Sequence, residues 1–264
     1  MTSVEPARPC LTSNDAAVLQ ALFDAESSPS SGITVDPLLP SWPAKVNVSR
    51  GDLETLKRRE TDIVRKLQTN ETPSRENVQS ALDELDSLIS NYPTYPSTYT
   101  NRAQALRILV DIEYNERLKH TINHPYGFEI NADDALFAPE AASLSSQIFA
   151  DLGQAISLAT PDSPADPLSS VQARLLSDAH THRGYLLLKS ARVKKERAGT
   201  DDVGGPESLR GLSADRLEEM ASHDFFLGGR YGNKVAQQLA VQTNPYAKMC
   251  GAIVKEAMRK EVER

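Results

Sequence analysis

Residues 80–106 read SALDELDSLISNYPTYPSTYTNRAQAL. Ala81, Leu82, Leu85 and Leu88 recur at three- and four-residue spacing before a Pro-rich break, and Tyr99, Ala103 and Leu106 do so after it. That spacing predicts two helices joined by a short connection. Asn101 and Arg102 are a polar pair inside the second helix. Whether they serve packing, a ligand or chemistry depends on what surrounds this pair of helices.

The chain has 264 residues, 39% of them hydrophobic and 25% charged, which is an ordinary composition for a globular protein with a sizeable core. A net charge of -7 argues against nucleic acid as a partner, because neutralising phosphates takes clustered excess Lys and Arg. The basic run Lys194-Lys195-Glu196-Arg197 reads as a solvated helix end. Cys10 and Cys250 form no CxxC or multi-cysteine framework, so neither a zinc site nor a disulfide scaffold is expected. The N-terminal stretch lacks the apolar segment of a signal peptide. No apolar run approaches the ~18 residues that cross a bilayer. The sequence is therefore expected to be cytoplasmic, with no membrane contact.

Helical periodicity recurs over 51–69, 76–91, 97–119, 140–159, 169–197, 213–230, 233–242 and 245–262, and no alternating strand pattern appears. The fold class expected is all-α. Three regions follow. Residues 1–50 hold a short helix near 14–24, with Val18, Leu19, Leu22 and Phe23 on one stripe, and then a Ser/Pro-rich flexible linker carrying the single tryptophan. Residues 51–244 form the helical body. Residues 245–264 form a terminal helix, capped by Asn244 with Pro245 in its first turn.

The helix pairs fit a 34-residue repeat with inserts. Such a repeat needs small residues where two helices cross closely and large ones beside them. With Ala81 at position 20, Leu85 falls at 24, Pro93 at 32, and Tyr99, Ala103 and Leu106 at 4, 8 and 11 of the next unit. Leu152 and Ala155 continue that unit after about 33 inserted residues. Gly184 and Leu187, then Ala221, Phe225 and Gly228, make a third unit with about 25 inserted. The inserts lie near 119–143, 160–169 and 193–213, at connections where added length costs little free energy. Residues 194–212, rich in Gly, Pro and charge, are expected to be exposed and mobile. Phe225 and Phe226 are expected to fill the core.

"YTNRAQAL" resembles the first helix of a tetratricopeptide repeat. Together, "NDAAVLQALF", "NRAQALR" and "NPYAKMC" resemble the tetratricopeptide repeat protein 36 family over residues 14–24, about 76–109, 145–159, 180–190 and 217–258. The resemblance implies a tetratricopeptide superhelix of about three helix pairs with long inserts and a C-terminal capping helix. It implies no enzyme activity and no cofactor. It implies an adaptor for protein or peptide partners, including a DnaK-type heat-shock chaperone, and a link to tyrosine metabolism. Some tetratricopeptide grooves grip acidic C-terminal carboxylates with Lys, Asn and Arg donors. By a gapless count Lys66 and Asn70 fall at positions 5 and 9 of the first unit, and Asn101 at position 6 of the second, with Arg102 beside it. In the third unit Asp178 and His182 stand at positions 2 and 6.

Two other classes stay open. His120 and His124 have i, i+4 spacing and, with Asp133 and Asp134, are the candidates for a metal-dependent site built from the inserts. Pro125 follows directly and no HExxH pattern exists, so no metal is expected. No nucleophile elbow or phosphate-binding Gly loop is present. The remaining class is a structural subunit of a larger assembly.

Overall fold

Serine starts most of the helices. Ser49, Ser74, Ser169 and Ser213 accept hydrogen bonds from the backbone N–H of Asp52, Asn77, Gln172 and Arg216, and Asn233 accepts from Val235 and Ala236. Each satisfies a donor that a helix N-terminus leaves without an intrahelical partner. The computed structural model describes residues 33–68, 73–121, 132–197 and 204–244, with residue 259. Among these, the helices are α1 (Arg50–Leu67), α2 (Arg75–Asn91), α3 (Pro96–Thr121), α4 (Ala142–Ala159), α5 (Ser170–Glu196), α6 (Ala214–Arg230) and α7 (Lys234–Thr243), with short 3-10 turns at Ala132–Phe137, Pro139–Ala141 and Glu207–Leu209. The described part of the protein is all-α. Its only β feature is an isolated bridge between Val35 and Leu168.

Each helix packs against the next in sequence, and the α5–α6 contact is the most extensive. Small residues allow that approach. A Cβ added at Gly184 would lie 3.1 Å from the Phe225 ring, and one at Gly228 would lie 2.6 Å from Thr181 Oγ1. One apolar cluster runs from Trp42 through α1–α5, and a second joins Leu187, Ala191, Leu209, Leu217, Ala221, Phe225 and Ala236. No helix of the described residues is long and apolar enough to cross a membrane.

Four expectations need correction. Residues 33–49 are not a free linker. Trp42 and Val46 are buried, and Trp42 meets Tyr95 edge-on at 5.7 Å between ring centroids. The backbone of Thr34 and Asp36 bonds that of Leu168, the Ser169 hydroxyl donates to the Ser41 carbonyl at 2.7 Å, and Lys45 donates to the Thr160 carbonyl. Ser/Pro-rich composition reported irregular backbone correctly, but the apolar side chains between the prolines give this segment surface to bury. Second, residues 204–212 fold back onto the body. Leu209 is buried, and Lys194 donates to the carbonyls of Leu209, Arg210 and Leu212, so it is not a solvated helix end. Third, the 119–143 insert contributes core: Ala135, Leu136 and Phe137 are buried. Fourth, Phe225 is enclosed while Phe226 is 40% exposed. The expected helices at 14–24 and 245–262 lie outside the described residues, apart from Arg259.

Candidate functional site

Three ion pairs tie the helices together two by two. Lys66 of α1 meets Glu84 of α2 at 2.7 Å. Arg102 of α3 meets Asp151 of α4 through Nε at 2.8 Å and Nη2 at 2.6 Å. Arg183 of α5 meets Asp224 of α6 through Nε at 2.7 Å and Nη2 at 2.8 Å. The residues after the three acids, Leu85, Leu152 and Phe225, are all fully buried, as are Ala81, Ile148 and Ala221 three residues before them. The pairs therefore mark one equivalent position in three helix pairs whose partners stand 18, 49 and 41 residues apart in sequence.

From those cations the groove can be read off. The residue before each is Arg65, Asn101 and His182, and the residue five before is Thr61, Ser97 and Asp178. All six line a single cavity of about 900 Å³ between α1, α3 and α5, with Trp42 and Glu60 also in its wall. Asn101 is thus at the groove, as its sequence position predicts, but its amide donates to Glu60 Oε1 at 3.1 Å. Arg102 is not at the groove. Its guanidinium is turned to Asp151 and to Asp86, the latter at 2.6 Å, and a neighbouring residue in a helix points some 100° away. Lys66 is not at the groove either. The first helix pair is separated by about two residues more than a gapless 34-residue count gives, so the counted positions of Lys66 and Asn70 shift. Asn70, His124 and the side chains of His120, Asp133 and Asp134 lie outside the described residues. Among the described residues, no three His, Cys, Asp or Glu groups gather as a metal site would require.

Glu60 was not signalled by sequence. It is 6% exposed, and four neutral donors hold its carboxylate: Tyr95 Oη and Ser97 Oγ on Oε2, both at 3.0 Å, and Thr98 Oγ1 and Asn101 Nδ2 on Oε1, both at 3.1 Å. These donors sit at the start of α3, whose aligned peptide dipoles also favour an anion. Burial pushes the carboxyl above the usual range and the four hydrogen bonds offset this only in part. Burial, and after it the same carboxylate, push up the Tyr95 phenol. Trp42 Nε1 is a buried donor with no partner among the described residues.

Across the groove, burial raises the Asp178 carboxyl and Arg174 pulls it back, from 3.9 Å on an exposed arm. His182 is pushed down to about 4 by burial and then by Arg107, whose Nη1 lies 3.3 Å from His182 Nε2. The imidazole is neutral at physiological pH and accepts at Nε2. A larger cavity, about 1050 Å³, opens between α4, α5, α6 and residues 207–212. Most of its charges are matched in place: Asp224 by Arg183 and His180, and Arg216 by Glu219 at 2.6 Å.

No protein-family model and no solved structure matches the chain. It is similar to the L-tyrosine degradation gene cluster protein hmgX of Aspergillus fumigatus, with 59% identity over 262 residues that cover 99% of this chain and 97% of that protein. With more than half of all residues shared over almost the full length of both, the chain belongs to the family of that protein.

Proposed function

We propose that this protein is a non-catalytic adaptor of the tetratricopeptide type that serves L-tyrosine degradation by holding a partner polypeptide in the groove between α1, α3 and α5. The observation that supports this reading is the repeated register. Three helices, each pinned to its successor at an equivalent ion pair, present the same two offsets to one cavity. In a superhelix of helix pairs, the first helix of each pair lines the concave face, and that face is where such arrays take extended partners. The likeness to the tetratricopeptide repeat protein 36 family and the name of the Aspergillus relative both point to tyrosine metabolism. Partners of this adaptor are proteins of that route or the DnaK-type chaperone that attends them.

Groove side chains suit recognition of backbone. Ser97, Thr100, Asn101 and Gln104 follow one another along α3 facing the cavity, and they offer hydroxyl and amide groups that both donate and accept. The test is co-purification with the full chain from its native cells, comparing wild type with Gln104→Arg, which fills the groove from an exposed position, and with Asp162→Asn, which is exposed and outside the lining. Captured partners should be lost with the first variant and kept with the second. An unchanged partner set with Gln104→Arg overturns the groove reading.

A further inference from the structure

The charge arrangement of the groove goes one step further than its shape, and the step rests on the adaptor reading. We infer that the occupant is a basic segment, an extended polypeptide that places lysine or arginine side chains over Glu60 of α1 and Asp178 of α5. Both carboxylates line the same cavity. Glu60 is held by three hydroxyls and one amide, with no ion pair among the described residues. Asp178 has a single long contact, to Arg174 at 3.9 Å, and both of those side chains are mostly exposed.

The other cations of the lining do not fill this demand. Lys57 is turned to Glu54 at 3.1 Å and Arg65 to Asp62 at 3.0 Å, each within α1. Arg107, which is not part of the lining, is directed at the neutral His182. The α1 rim is therefore balanced on its own helix, the α5 wall offers Asp178 only Arg174 at 3.9 Å, and Glu60 has no ion pair among the described residues. Burying a carboxylate without a cation is costly, and an arriving cation recovers part of that cost. The chain's net charge of -7 steers a basic partner toward it from a distance. An acidic C-terminal tail fits poorly, because Asp178 stands where such a tail would meet a lysine.

The probes are two dye-labelled, terminally blocked Gly/Ser peptides, one carrying arginines at alternate positions and one carrying glutamates, titrated against the full-length protein by fluorescence anisotropy. The arginine peptide should bind at least about tenfold more tightly than the glutamate peptide, and added salt should weaken it. Asp178→Asn, on an exposed side chain whose loss leaves the fold alone, should lose about tenfold of that affinity, and Asp162→Asn should lose none. Glu60→Gln should behave like Asp178→Asn. Equal or tighter binding of the glutamate peptide, no binding of the arginine peptide, or full affinity in Asp178→Asn each overturns the basic-segment inference. Partner capture that is lost with Gln104→Arg while any of these holds leaves the adaptor reading in place. An unchanged partner set with Gln104→Arg removes both.

Discussion

Asp224 and Glu60 are both nearly inaccessible, at 2% and 6% exposure, yet they are held in opposite ways. Asp224 lies between two helices of one pair, α5 and α6, and receives a two-pronged arginine and the Nδ1 of His180 at 2.8 Å. Tyr231 stacks on that imidazole. Burial raises the Asp224 carboxyl, but Arg183 and His180 outweigh it and the net direction is down. Glu60 lies between two first helices, α1 and α3, and receives four neutral donors, and burial wins. A buried carboxylate with its own guanidinium is a fastener with no charge left over. A buried carboxylate with only dipoles around it keeps the demand for a cation, and it sits where a partner can reach the same cavity. The difference separates a residue that joins the helices of one pair from one that faces the groove.

The sharpest way to break the comparison is to remove the cation from the fastener. Arg183→Met should destabilise the protein by about 3–5 kcal/mol, because Asp224 is then buried with only His180 to compensate it. The double variant Arg183→Met/Asp224→Leu should recover a large part of the loss, since an apolar pair in that space leaves no orphaned charge. Urea denaturation of the single and double variants measures both. A single-variant loss below about 1 kcal/mol would place this pair among the weak surface bridges and end the contrast with Glu60.

The two carboxylates should also respond to acid with opposite sign. Asp224 has its folded value below the unfolded 3.8, so its stabilising contribution is present above that pH and fades as the pH falls through the folded value. The cost of Asp224→Asn should therefore shrink on acidification. Glu60 has its folded value above the unfolded 4.5. Its contribution is complete below 4.5 and is lost as the pH rises through the folded value. The cost of Glu60→Gln, measured against wild type, should therefore grow on acidification and be smallest at neutral pH. The measurement is the unfolding free energy of both variants and wild type from neutral pH down to below 3.8, where Asp224 loses its contribution. Parallel slopes for the two variants would contradict the opposite environments.

The helices were legible because their apolar stripes are local signals. The small residues Ala103, Gly184 and Gly228 were legible for the same reason: they mark crossings that only a small side chain permits. Arg102 was misread because its neighbour Asn101 faces the groove, and a one-residue step around a helix changes which structure a side chain meets. The signal that would have placed it was present. An arginine precedes the small residue in both "NRA" and "HRG", and an acid precedes Leu152 and Phe225. Pairing them needs two inserts to be aligned first. Glu60 carried no signal, since its donors come from residues 95–101, well beyond any local pattern. Trp42 looked like part of a linker because its contact, Tyr95, belongs to another element. Long-range burial of this kind is visible only once the chain is folded.

The smallest effect tests whether the three fasteners are graded by burial alone. Lys66 and Glu84 occupy the same relative place as Arg102 and Asp151, but their side chains are 52% and 43% exposed, against 16% and 2% for the arginine pair. A lysine also makes a point contact where the guanidinium makes a fork. Water and salt screen the first pair, and holding two long side chains together costs rotamer freedom. Lys66→Ala should therefore destabilise by only about 0.2–1 kcal/mol, and that loss should vanish in high salt. Arg102→Met should cost several times more and keep most of its cost in salt, because Asp151 is enclosed together with its Gln147 contact at 2.9 Å. Urea melts of both variants at low and high ionic strength decide the matter. If Lys66→Ala costs as much as Arg102→Met, or resists salt equally, then the first helix pair is held by its ion pair rather than by Leu56 and Ile63 beneath it, and the register rather than the burial sets the strength of the array.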